Sequence, residues 1–455
     1  MALRKLFIAN RGEIAVRIIR AARELGITTV QAVSAADRHM LAARLADEVV
    51  EVGPARAAKS YLSREAMLRA ALDAGADAVH PGYGFLSENS AFAEAVEQAG
   101  LIFVGPNAAT IRLMGDKARA RRVAAESGVP TVPGTPGAIQ VLAALREHAV
   151  MLGFPVMIKA AAGGGGRGIR IAHDADMLER LLTEARTEAL AAFGDDALYL
   201  ERFLARARHV EVQVLGDGAN VVHLFERECS LQRRRQKLWE EAPASCLSDA
   251  TRAALCDSAV RLARSVSYRG AGTLEYLLDQ VTGEFFFIEM NTRIQVEHPV
   301  TEMVTGIDLV REMLRIAGGE PLRFVQSDIT LRGHAIECRI NAEDSTRDFH
   351  PAPGTVHAFS VPGGPGVRFD TMLYPGYTVP PFYDSLLGKL IVWDEDRAQA
   401  LARLRRALGE LHVEGIPTTI QLHRRLAEHV DMMSNAVHTG WLETWLTQEP
   451  FVNIE

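Results

Sequence analysis

The sequence has few of the features that mark secreted, membrane-spanning or nucleic-acid-binding proteins. It contains only 4 Cys in 455 residues and no CxxC pair, so reduced thiols are expected, as in a cytoplasmic protein. It has no apolar run of about 18 residues, and its first residues lack the apolar core of a signal peptide. Its 50 Lys and Arg do not exceed its 57 Asp and Glu, and the net charge of −7 argues against a general nucleic-acid-binding protein.

A Walker A motif is also missing, because Gly388-Lys389 is followed by Leu390. What remains is an ordinary globular composition, with 48% hydrophobic and 24% charged residues. A chain of 455 residues is too long for one ordinary hydrophobic core, so two to four domains are expected. The composition therefore favours a soluble enzyme of several domains.

The first 114 residues alternate short apolar runs with helical stretches. We predict strands at 6–9, 28–33, 48–52, 78–80 and 102–104, and helices at 12–25, 40–45, 63–74 and 90–99. Ile14, Ile18 and Ile19 share one face of the first helix, and Gly26 stands where a C-cap glycine is expected. Strands that alternate with helices predict a doubly wound parallel sheet.

The pattern changes in the centre of the chain. Residues 131–137 hold four Pro or Gly in seven and predict a hinge. Strands are predicted at 155–160, 169–172 and 198–200, with a helix at 175–192. Alternating residues then predict two antiparallel hairpins, at 209–225 and 273–290. A third, mixed region begins near residue 333 and contains a helix at 397–411.

The glycine run at 163–168 contains a GxGxxG match, but a strand and not a helix is predicted after it. We interpret the run as a hairpin tip, a flap whose backbone N–H groups can cover phosphates, with a plain disordered turn as the alternative. Lys159 lies in the apolar strand before the run. A nucleotide phosphate would satisfy its ammonium group, and a lysine that snorkels from the strand end is the alternative.

The second hairpin carries oxygen ligands. Glu289 and Asn291 are two positions apart and therefore point to the same face of a strand. Glu275, on the preceding strand, stands alone in an apolar run. Two carboxylates and an amide oxygen that converge across a hairpin suit Mg²⁺, although a solvated polar face would show the same alternation.

The segment 291–298 (NTRIQVEH) is dense in polar groups between apolar neighbours. Arg293 and Gln295 can hold a small planar oxyanion, Glu297 can act as a base on it, and His298 is expected to order the turn. The run 232–237 (QRRRQK) packs four cations into five positions. Because Glu240 and Glu241 follow closely and the chain is acidic, a polyanionic small substrate fits this run better than a nucleic acid does.

Seven segments carry a family resemblance: 8–15 (IANRGEIA), 80–88 (HPGYGFLSE), 114–117 (MGDK), 162–168 (AGGGGRG), 289–298 (EMNTRIQVEH), 337–343 (ECRINAE) and 377–385 (YTVPPFYDS). In this order the set resembles biotin carboxylase, a member of the ATP-grasp superfamily, over nearly the whole chain. The resemblance implies a doubly wound N-terminal domain at 1–114, an ATP-grasp domain at 115–330 with a glycine-rich lid at about 131–204, and a mixed C-terminal domain at 331–455. The implied fold class is α/β and α+β.

The resemblance also implies a reaction, in which ATP phosphorylates bicarbonate and the carboxyphosphate delivers CO₂ to N1′ of biotin. The implied ATP-binding residues are Lys117, Lys159, Gly164, Gly165, Gly166, Glu201, Leu204, His209, Gln232, Glu275 and Glu289. Glu275, Glu289 and Asn291 resemble the ligands of Mg²⁺ or Mn²⁺. The implied bicarbonate pocket comprises Lys237, Arg293, Gln295 and Val296, with Glu297 as the base. Arg339 resembles the residue that stabilises the biotin enolate, and Tyr83 is expected near the biotin.

Several positions depart from the family pattern. Arg235 stands where family members usually have His or Asn, and Arg202 replaces a common lysine near the adenine. Leu238-Trp239 replaces two small β-branched residues beside Lys237, and Ala161-Ala162 shortens the glycine run. None of these changes removes a charge that the reaction needs, and together they favour a divergent paralogue.

The sequence contains no Met-Lys-Met biotinylation site. We therefore expect biotin to be a substrate on a separate carrier protein, with the carboxyltransferase on other chains and neither nucleic acid nor membrane as a partner. Acetyl-CoA carboxylase of fatty acid synthesis is the expected setting, in the cytoplasm and as a homodimer, and propionyl-CoA, pyruvate or another acceptor is the alternative. Two other functions stay open: another ATP-grasp ligase that joins an acyl phosphate to an amine, and a non-catalytic ATP-sensing subunit.

Overall fold

The computed structural model describes residues 3–160, 169–193 and 195–449. Its N-terminal part contains, in chain order, β1 Lys5–Ile8, α1 Gly12–Glu24, β2 Thr28–Ser34, α2 Leu41–Leu45, β3 Glu48–Gly53, a 3₁₀ turn Ala57–Lys59, α3 Arg64–Asp73, β4 Ala78–His80, α4 Ser90–Gln98, β5 Ile102–Phe103 and α5 Ala108–Gly115. The five strands form one parallel sheet in the order β3-β2-β1-β4-β5. The predicted doubly wound arrangement is confirmed.

The first helix shows why the sequence folds locally as it does. Ile14, Ile18 and Ile19 are buried on the face of α1 that the spacing predicts. The helix stops before Gly26, whose φ of 71° lies in the left-handed region that favours glycine. The backbone N–H of Gly26 then donates to the carbonyl of Arg23 and ends the helix.

The central part of the chain contains α6 Lys117–Glu126, α7 Leu142–Leu152, β6 Val156–Ala160, β7 Arg170–Ala172, α8 Ala175–Phe193, β8 Leu198–Arg202, β9 Ala207–Asp217, β10 Val221–Arg233, β11 Gln236–Ala242, α9 Asp249–Ser265, β12 Arg269–Asp279, β13 Phe285–Asn291, α10 His298–Thr305 and α11 Leu309–Ala317. A 3₁₀ turn at Gln326–Asp328 follows. Strands β7, β6 and β8 form a small antiparallel sheet. Both predicted hairpins are present, with strands longer than predicted: β10 continues through a bulge to Arg233.

The C-terminal part contains β14 His334–Asn341, β15 Glu343–Asp344, β16 His350–Pro351, β17 Gly354–Thr355, β18 Phe359–Ser360, β19 Val367–Thr371, β20 Thr378–Val379, β21 Leu386–Asp394, α12 Arg397–Glu410, β22 His412–Val413, α13 Ile420–Glu428, α14 Val430–Met433 and α15 Trp441–Gln448. Three of these strands join the central hairpins in one eight-stranded antiparallel sheet, in the order β13-β12-β9-β10-β11-β14-β21-β19. The domain boundary at 330/331 stays a prediction, but the sheet is continuous across it through the pairing of β11 with β14.

One apolar core joins all three parts of the chain. It includes Ile18 of α1, Met313 of α11 and Leu387 of β21, all buried. The charged site described below lies where these three parts meet. All four cysteines are free thiols, as expected. Within the described ranges, none of the helices combines the length and the apolar character needed to cross a membrane.

Candidate active site

A row of charged side chains crosses the eight-stranded sheet. Arg227 of β10, Glu211 of β9, Glu275 of β12 and Glu289 of β13 are directly opposite one another in successive antiparallel pairs. Side chains that are directly opposite lie on the same face, so all four project from one side of the sheet. Asn291, two residues after Glu289, is on this face too. The shared face predicted for Glu275, Glu289 and Asn291 is therefore present.

The Lys237 ammonium lies at the centre of this face. Its Nζ is 2.6 Å from Glu211, 3.0 Å from Glu275 and 2.6 Å from Glu297. Burial alone would lower the pKa of Lys237, but these three carboxylates outweigh it and hold the pKa well above its usual value. Lys237 is therefore a permanent cation that three acidic side chains share.

Arg227 holds several side chains of this cluster in place through hydrogen bonds. It has no exposed surface and donates to Glu211 at 2.8 Å, to Gln213 at 2.7 Å and to Gln295 at 2.9 Å. Two threonine hydroxyls accept its remaining N–H groups. Because five bonds satisfy the guanidinium, Arg227 is a rigid anchor for the side chain of Gln295.

The segment between β13 and α10 brings three predicted residues together. Arg293 donates from Nε to Glu88 at 2.8 Å and from one terminal nitrogen to the Asn291 amide oxygen at 2.9 Å. Gln295 donates from Nε2 to Glu275 at 2.9 Å. Glu297 follows immediately before α10, so the turn places an amide and a carboxylate in the Lys237 cluster and holds Arg293 beside Asn291.

Glu297 is buried between two cations. It accepts from Lys237 at 2.6 Å and from Arg339 at 3.0 Å. Burial and the neighbouring Glu211 raise the pKa of Glu297, but Lys237 and Arg339 outweigh them and leave the pKa below its usual value. Its carboxylate is thus ionised and able to accept a proton. The structure brings Glu297 and Arg339 together although they are 42 residues apart.

A second chain of contacts links Tyr83 to this loop. The Tyr83 hydroxyl donates to Glu13, and the fully buried Lys389 ammonium lies 3.1 Å from the same carboxylate. Lys389 also donates to the backbone carbonyl of Val296 at 2.9 Å. Burial, followed by the charge of Glu13, raises the pKa of Tyr83 well above its usual value, so this hydroxyl keeps its proton. A chain of contacts through Glu13 and Lys389 therefore links Tyr83 to Val296.

A separate group of cations lies on the nucleotide side predicted for the site. Lys159 and Arg121 both form ion pairs with Glu201. Burial, and then the charges of Arg121, Lys117 and Arg235, lower the pKa of Lys159 to about 8. Neighbouring cations that lower one another's pKa repel one another, and a bound anion such as a phosphate stabilises them.

The remaining predicted nucleotide contacts have partners in several parts of the site. Lys117 begins α6, whose N-cap Asp116 accepts from two backbone N–H groups, and its Nζ is 3.5 Å from Glu289. His209 is buried, with Nε2 at 3.2 Å from Glu275 and Nδ1 at 3.1 Å from the Gln232 amide nitrogen. Leu204 is buried in a small apolar cluster. Gly164, Gly165 and Gly166, together with the shortened segment at Ala161-Ala162, lie outside the described residues.

Glu275, Glu289 and Asn291 have the chemistry of a magnesium site. Their oxygens are hard ligands on one face of a hairpin, and Glu289 stays partly exposed, with Lys117 as its ion-pair partner. A second set, His209, Glu211 and Glu275, has ligand atoms within 4.8 Å of one another. The Lys237 ammonium already lies beside two of these three residues, so it takes the position of a cation there.

The run at 232–237 does not act as one unit. Arg233 and Arg234 form ion pairs with Asp348, and the prediction that the whole run faces a small substrate stays a prediction for these two. Arg235 is exposed and has a φ of 66°, in the tight turn between β10 and β11. Only Lys237 reaches the carboxylate cluster, because it lies on β11 with its side chain on the charged face.

The other departures from the family pattern have structural partners. Arg202 lies 3.1 Å from Glu284 and over the Phe286 ring. Leu238 and Trp239 are buried, and the Trp239 indole N–H donates to Glu241 at 2.8 Å.

Sequence reasoning missed several residues that shape the site: Arg121, Glu211, Arg227, Glu240 and Lys389. A signal was present for Lys389, which is an isolated cation inside an otherwise apolar strand, as Lys159 is. Arg227 lies between Glu226 and Glu228 and carries no such signal. Glu211 lies in the alternating strand that predicts the first hairpin, but alternation alone does not distinguish a solvated face from a buried one.

Three family models match the chain in order. They are "Biotin carboxylase, N-terminal domain" at residues 2–111, "Carbamoyl-phosphate synthase L chain, ATP binding domain" at 116–325 and "Biotin carboxylase C-terminal domain" at 337–444. A biotin carboxylase from Pseudomonas aeruginosa is 54% identical over 447 residues, which is 97% of this chain and 98% of the relative.

Solved structures agree with these matches. A biotin carboxylase–beta-gamma-ATP complex from Campylobacter jejuni has a TM-score of 0.91 and 45% identity, and covers 97% of this chain and 99% of its own. The biotin carboxylase domain dimer of 2-oxoglutarate carboxylase from Hydrogenobacter thermophilus was solved with MgADP, ADP and bicarbonate. It has a TM-score of 0.91 and 44% identity, and covers 100% of both chains.

The site contains a group of cations on the nucleotide side and a buried, ionised carboxylate. Together with the matched ATP-binding domain, these features define an ATP-dependent ligase of the ATP-grasp type. The chain belongs to the biotin carboxylase family, whose N-terminal, ATP-binding and C-terminal models it matches in full order. The resemblance seen in the sequence is thereby confirmed, and so is the enzyme class, an ATP-dependent carbon–nitrogen ligase.

Proposed function

We propose that the chain performs the first half-reaction of a multi-subunit biotin-dependent carboxylase, with Glu297 as its base. ATP phosphorylates bicarbonate, and the carboxyphosphate delivers CO₂ to N1′ of biotin. The observation that carries this assignment is the Glu297 carboxylate, which is buried between Lys237 at 2.6 Å and Arg339 at 3.0 Å. A carboxylate with a lowered pKa that two cations orient is placed to take the proton of bicarbonate.

Lys237, Arg293, Gln295 and Val296 would form the bicarbonate pocket. Arg293 and Gln295 offer fixed N–H donors, and Lys237 supplies a cation that burial does not neutralise. Once Glu297 has removed the bicarbonate proton, the resulting oxyanion attacks the γ-phosphorus of ATP and ADP leaves. Donors held rigidly by other side chains lose little freedom when the anion binds.

Arg339 and Tyr83 would contact the biotin. Arg339 is held by Glu240 at 2.6 Å and by Glu297, so its guanidinium is oriented before biotin arrives. It would stabilise the enolate form of the biotin ring, and the neutral Tyr83 hydroxyl would lie beside it. Both residues are half-buried, which fits a site that must keep water from an easily hydrolysed carboxyphosphate.

On the nucleotide side, Lys117 and Lys159 would bind the phosphates. Glu201, Leu204, His209 and Gln232 would contact the nucleotide, as would the glycine run. Glu275, Glu289 and Asn291 would hold Mg²⁺ or Mn²⁺, which neutralises phosphate charge when bound. Support comes from the cations around Lys159 and from the hard oxygens that share one face of the hairpin.

The acceptor pathway that we propose is acetyl-CoA carboxylase of fatty acid synthesis, in the cytoplasm. Biotin would arrive on a separate carrier protein, since the sequence contains no Met-Lys-Met site, and the carboxyltransferase would be on other chains. A homodimer is supported by the Hydrogenobacter structure, which is a dimer. That same relative belongs to a 2-oxoglutarate carboxylase, so an acceptor such as pyruvate, propionyl-CoA or another acid is the second candidate.

The test of the half-reaction is ADP release by the purified protein with bicarbonate, in the presence and absence of free biotin. We expect ATP cleavage to depend on bicarbonate and carboxybiotin to form. ATP turnover that requires an amine and yields no carboxybiotin would overturn the proposal. The acceptor is tested separately, by identifying the biotinylated protein that the chain captures from its own cells and assaying acyl-CoA and oxo-acid acceptors with it.

A further inference from the structure

Two buried glutamates face each other on neighbouring strands behind Arg339. Glu240 of β11 and Glu337 of β14 are directly opposite in the antiparallel register, so their side chains share one face of the sheet. Neither residue has exposed surface. Directly opposite residues have Cβ atoms about 4.5–5.5 Å apart, which brings the two carboxyl groups within reach of each other.

Their oxygens have too few hydrogen-bond donors for two carboxylate ions. Glu240 accepts from Arg339 Nε at 2.6 Å through Oε1, whereas its Oε2 has no partner among the described residues. Neither oxygen of Glu337 has a partner in the described part of the chain. Two neighbouring ionised carboxylates without donors are strongly disfavoured in a buried site. One proton between them would supply the missing donor.

We propose that Glu240 and Glu337 share one proton, which Glu337 carries as a neutral acid that donates to Oε2 of Glu240, and that this pair positions Arg339. Burial supports this arrangement: it raises the pKa of Glu240 to about 7 and that of Glu337 well above its usual value. Glu240 then keeps its negative charge for Arg339, and Glu337 adds none.

The charge balance explains why one proton matters for Arg339. With one proton, Arg339 faces two carboxylates, Glu240 and Glu297, and bridges them. Without it, a third carboxylate stands beside Arg339 on the same strand, and its repulsion acts on Glu240 and Glu297. The guanidinium would then be drawn from Glu297 toward the strand pair.

The groups around the pair come from every packed element. They are Lys237 on β11, Arg339 on β14, Lys389 on β21 and Glu297 and His298 at the start of α10. Lys389 is directly opposite Arg339 in the sheet and pulls the pKa of Glu337 down, while Glu240 and Glu297 push it up. Burial lowers the pKa of His298 well below its usual value, so His298 adds no charge near neutral pH.

The proton itself is tested by infrared spectroscopy, independently of any activity. We expect the purified protein at neutral pH to show a C=O band of a protonated carboxylic acid that shifts in D₂O. Glu337→Gln should remove this band. The matched control is Glu312→Gln, because Glu312 is a buried carboxylate whose oxygens accept from Arg315 and Arg323 far from this site. A spectrum without an acid band, or an acid band that loses no intensity in E337Q, overturns the shared proton.

The positioning of Arg339 rests on the proposed function and is tested by kinetics. Glu337→Gln keeps a donor for Glu240, and we expect kcat/KM for biotin to stay within about threefold of the wild type at neutral pH. Glu337→Met removes the donor and should lower kcat/KM for biotin about tenfold or more, with KM for ATP unchanged. Raising the pH should lower kcat/KM for biotin in the wild type and not in E337Q.

Each kinetic outcome decides the positioning role. Equal activity of E337M and E337Q, or equal losses that include ATP binding, would show that the pair does not position Arg339. If the protein carboxylates no biotin at all, the proposed function fails while the infrared result still decides whether the proton is shared. If E337M does not fold, Glu240→Gln provides the second variant: it removes the charge that holds Arg339 and should lower kcat/KM for biotin. An unchanged value in E240Q would overturn the role.

Discussion

Replacing Lys389 with methionine tests how much the buried link between Tyr83 and Val296 contributes to stability. The Lys389 ammonium has no exposed surface, lies 3.1 Å from Glu13 and donates to the Val296 carbonyl at 2.9 Å. Methionine has a similar length but no charge, so K389M leaves the Glu13 carboxylate buried without its cation. Breaking a buried ion pair in this way costs about 3–5 kcal/mol.

The expected loss lies at the lower end of that range. Burial raises the pKa of Glu13 although the hydrogen bond from the Tyr83 hydroxyl lowers it, so this carboxyl can take up a proton once Lys389 is gone. We therefore expect K389M to lower the free energy of unfolding by about 3 kcal/mol. The double variant E13Q/K389M removes the stranded charge and should recover about 2 kcal/mol of this loss.

Urea unfolding followed by intrinsic fluorescence measures these differences, and bicarbonate kinetics measure their effect on the loop. We expect KM for bicarbonate to rise in K389M with KM for ATP unchanged, because the Val296 carbonyl loses its anchor. The exposed Lys59→Met is the matched control and should change stability by less than about 0.5 kcal/mol. A loss below about 1 kcal/mol in K389M, or a double variant no more stable than K389M, would refute the reasoning.

Three further predictions follow from individual side chains. Glu297→Ala should lower bicarbonate-dependent ATP cleavage at least about 100-fold with nucleotide binding unchanged by calorimetry, and a comparable loss of ATP affinity would contradict its role as the base. Arg235→His should change KM for ATP more than turnover, because Arg235 acts on Lys159 from the turn between β10 and β11; an unchanged KM would remove that assignment. Burial lowers the pKa of His423 to about 4 from an ordinary 6.5. Between pH 6.5 and pH 4 the unfolded chain therefore binds more protons than the folded one, and the free energy of unfolding should fall by about 3 kcal/mol as the pH drops through this range. His423→Gln should flatten that part of the pH–stability curve, and an unaltered curve would show that His423 is not its cause.

The parts of the fold that could be predicted from the sequence depend on local periodicity. Ile14, Ile18 and Ile19 repeat with the period of a helix, and the structure buries all three. Glu289 and Asn291 share a face because side chains alternate along a strand. Glu275 could be added to them because a hairpin with a short turn has few possible registers, and the observed register puts Glu275 directly opposite Glu289.

The continuous sheet could not be predicted in this way. Its middle depends on the pairing of β11 with β14, which joins Glu240 to Glu337 across almost a hundred residues of chain. No turn connects these strands, so no local signal sets their register. The same pairing brings Arg339 to Glu297, and the proposed role of Arg339 could therefore come only from the family resemblance.

An isolated charged residue in an apolar strand predicts a buried polar contact. The position of Lys159 in an apolar strand predicts an anionic partner, and the structure pairs it with Glu201. Lys389 and Glu337 stand in similar strands, LLGKLIVWD and HAIECRIN, and carry the same signal. Burial of a charge always requires a partner or a proton, so each such residue predicts a buried polar contact even where its partner is distant in sequence.

The pairing of charges also explains how a chain of net charge −7 can take an anionic substrate. Lys237, Arg293 and Arg339 each contact an internal carboxylate, so their charges are compensated in the folded protein. In the bicarbonate pocket that we propose, the incoming anion would therefore compete with carboxylates that are already bound and would not enter an uncompensated positive cavity. Replacing one of these carboxylates by the anion costs little, because each cation contacts more than one acceptor and keeps its other hydrogen bonds. Because its cations are already paired with carboxylates, a pocket of this kind has no excess positive charge. It would bind a weakly charged oxyanion through the positions of its hydrogen-bond donors.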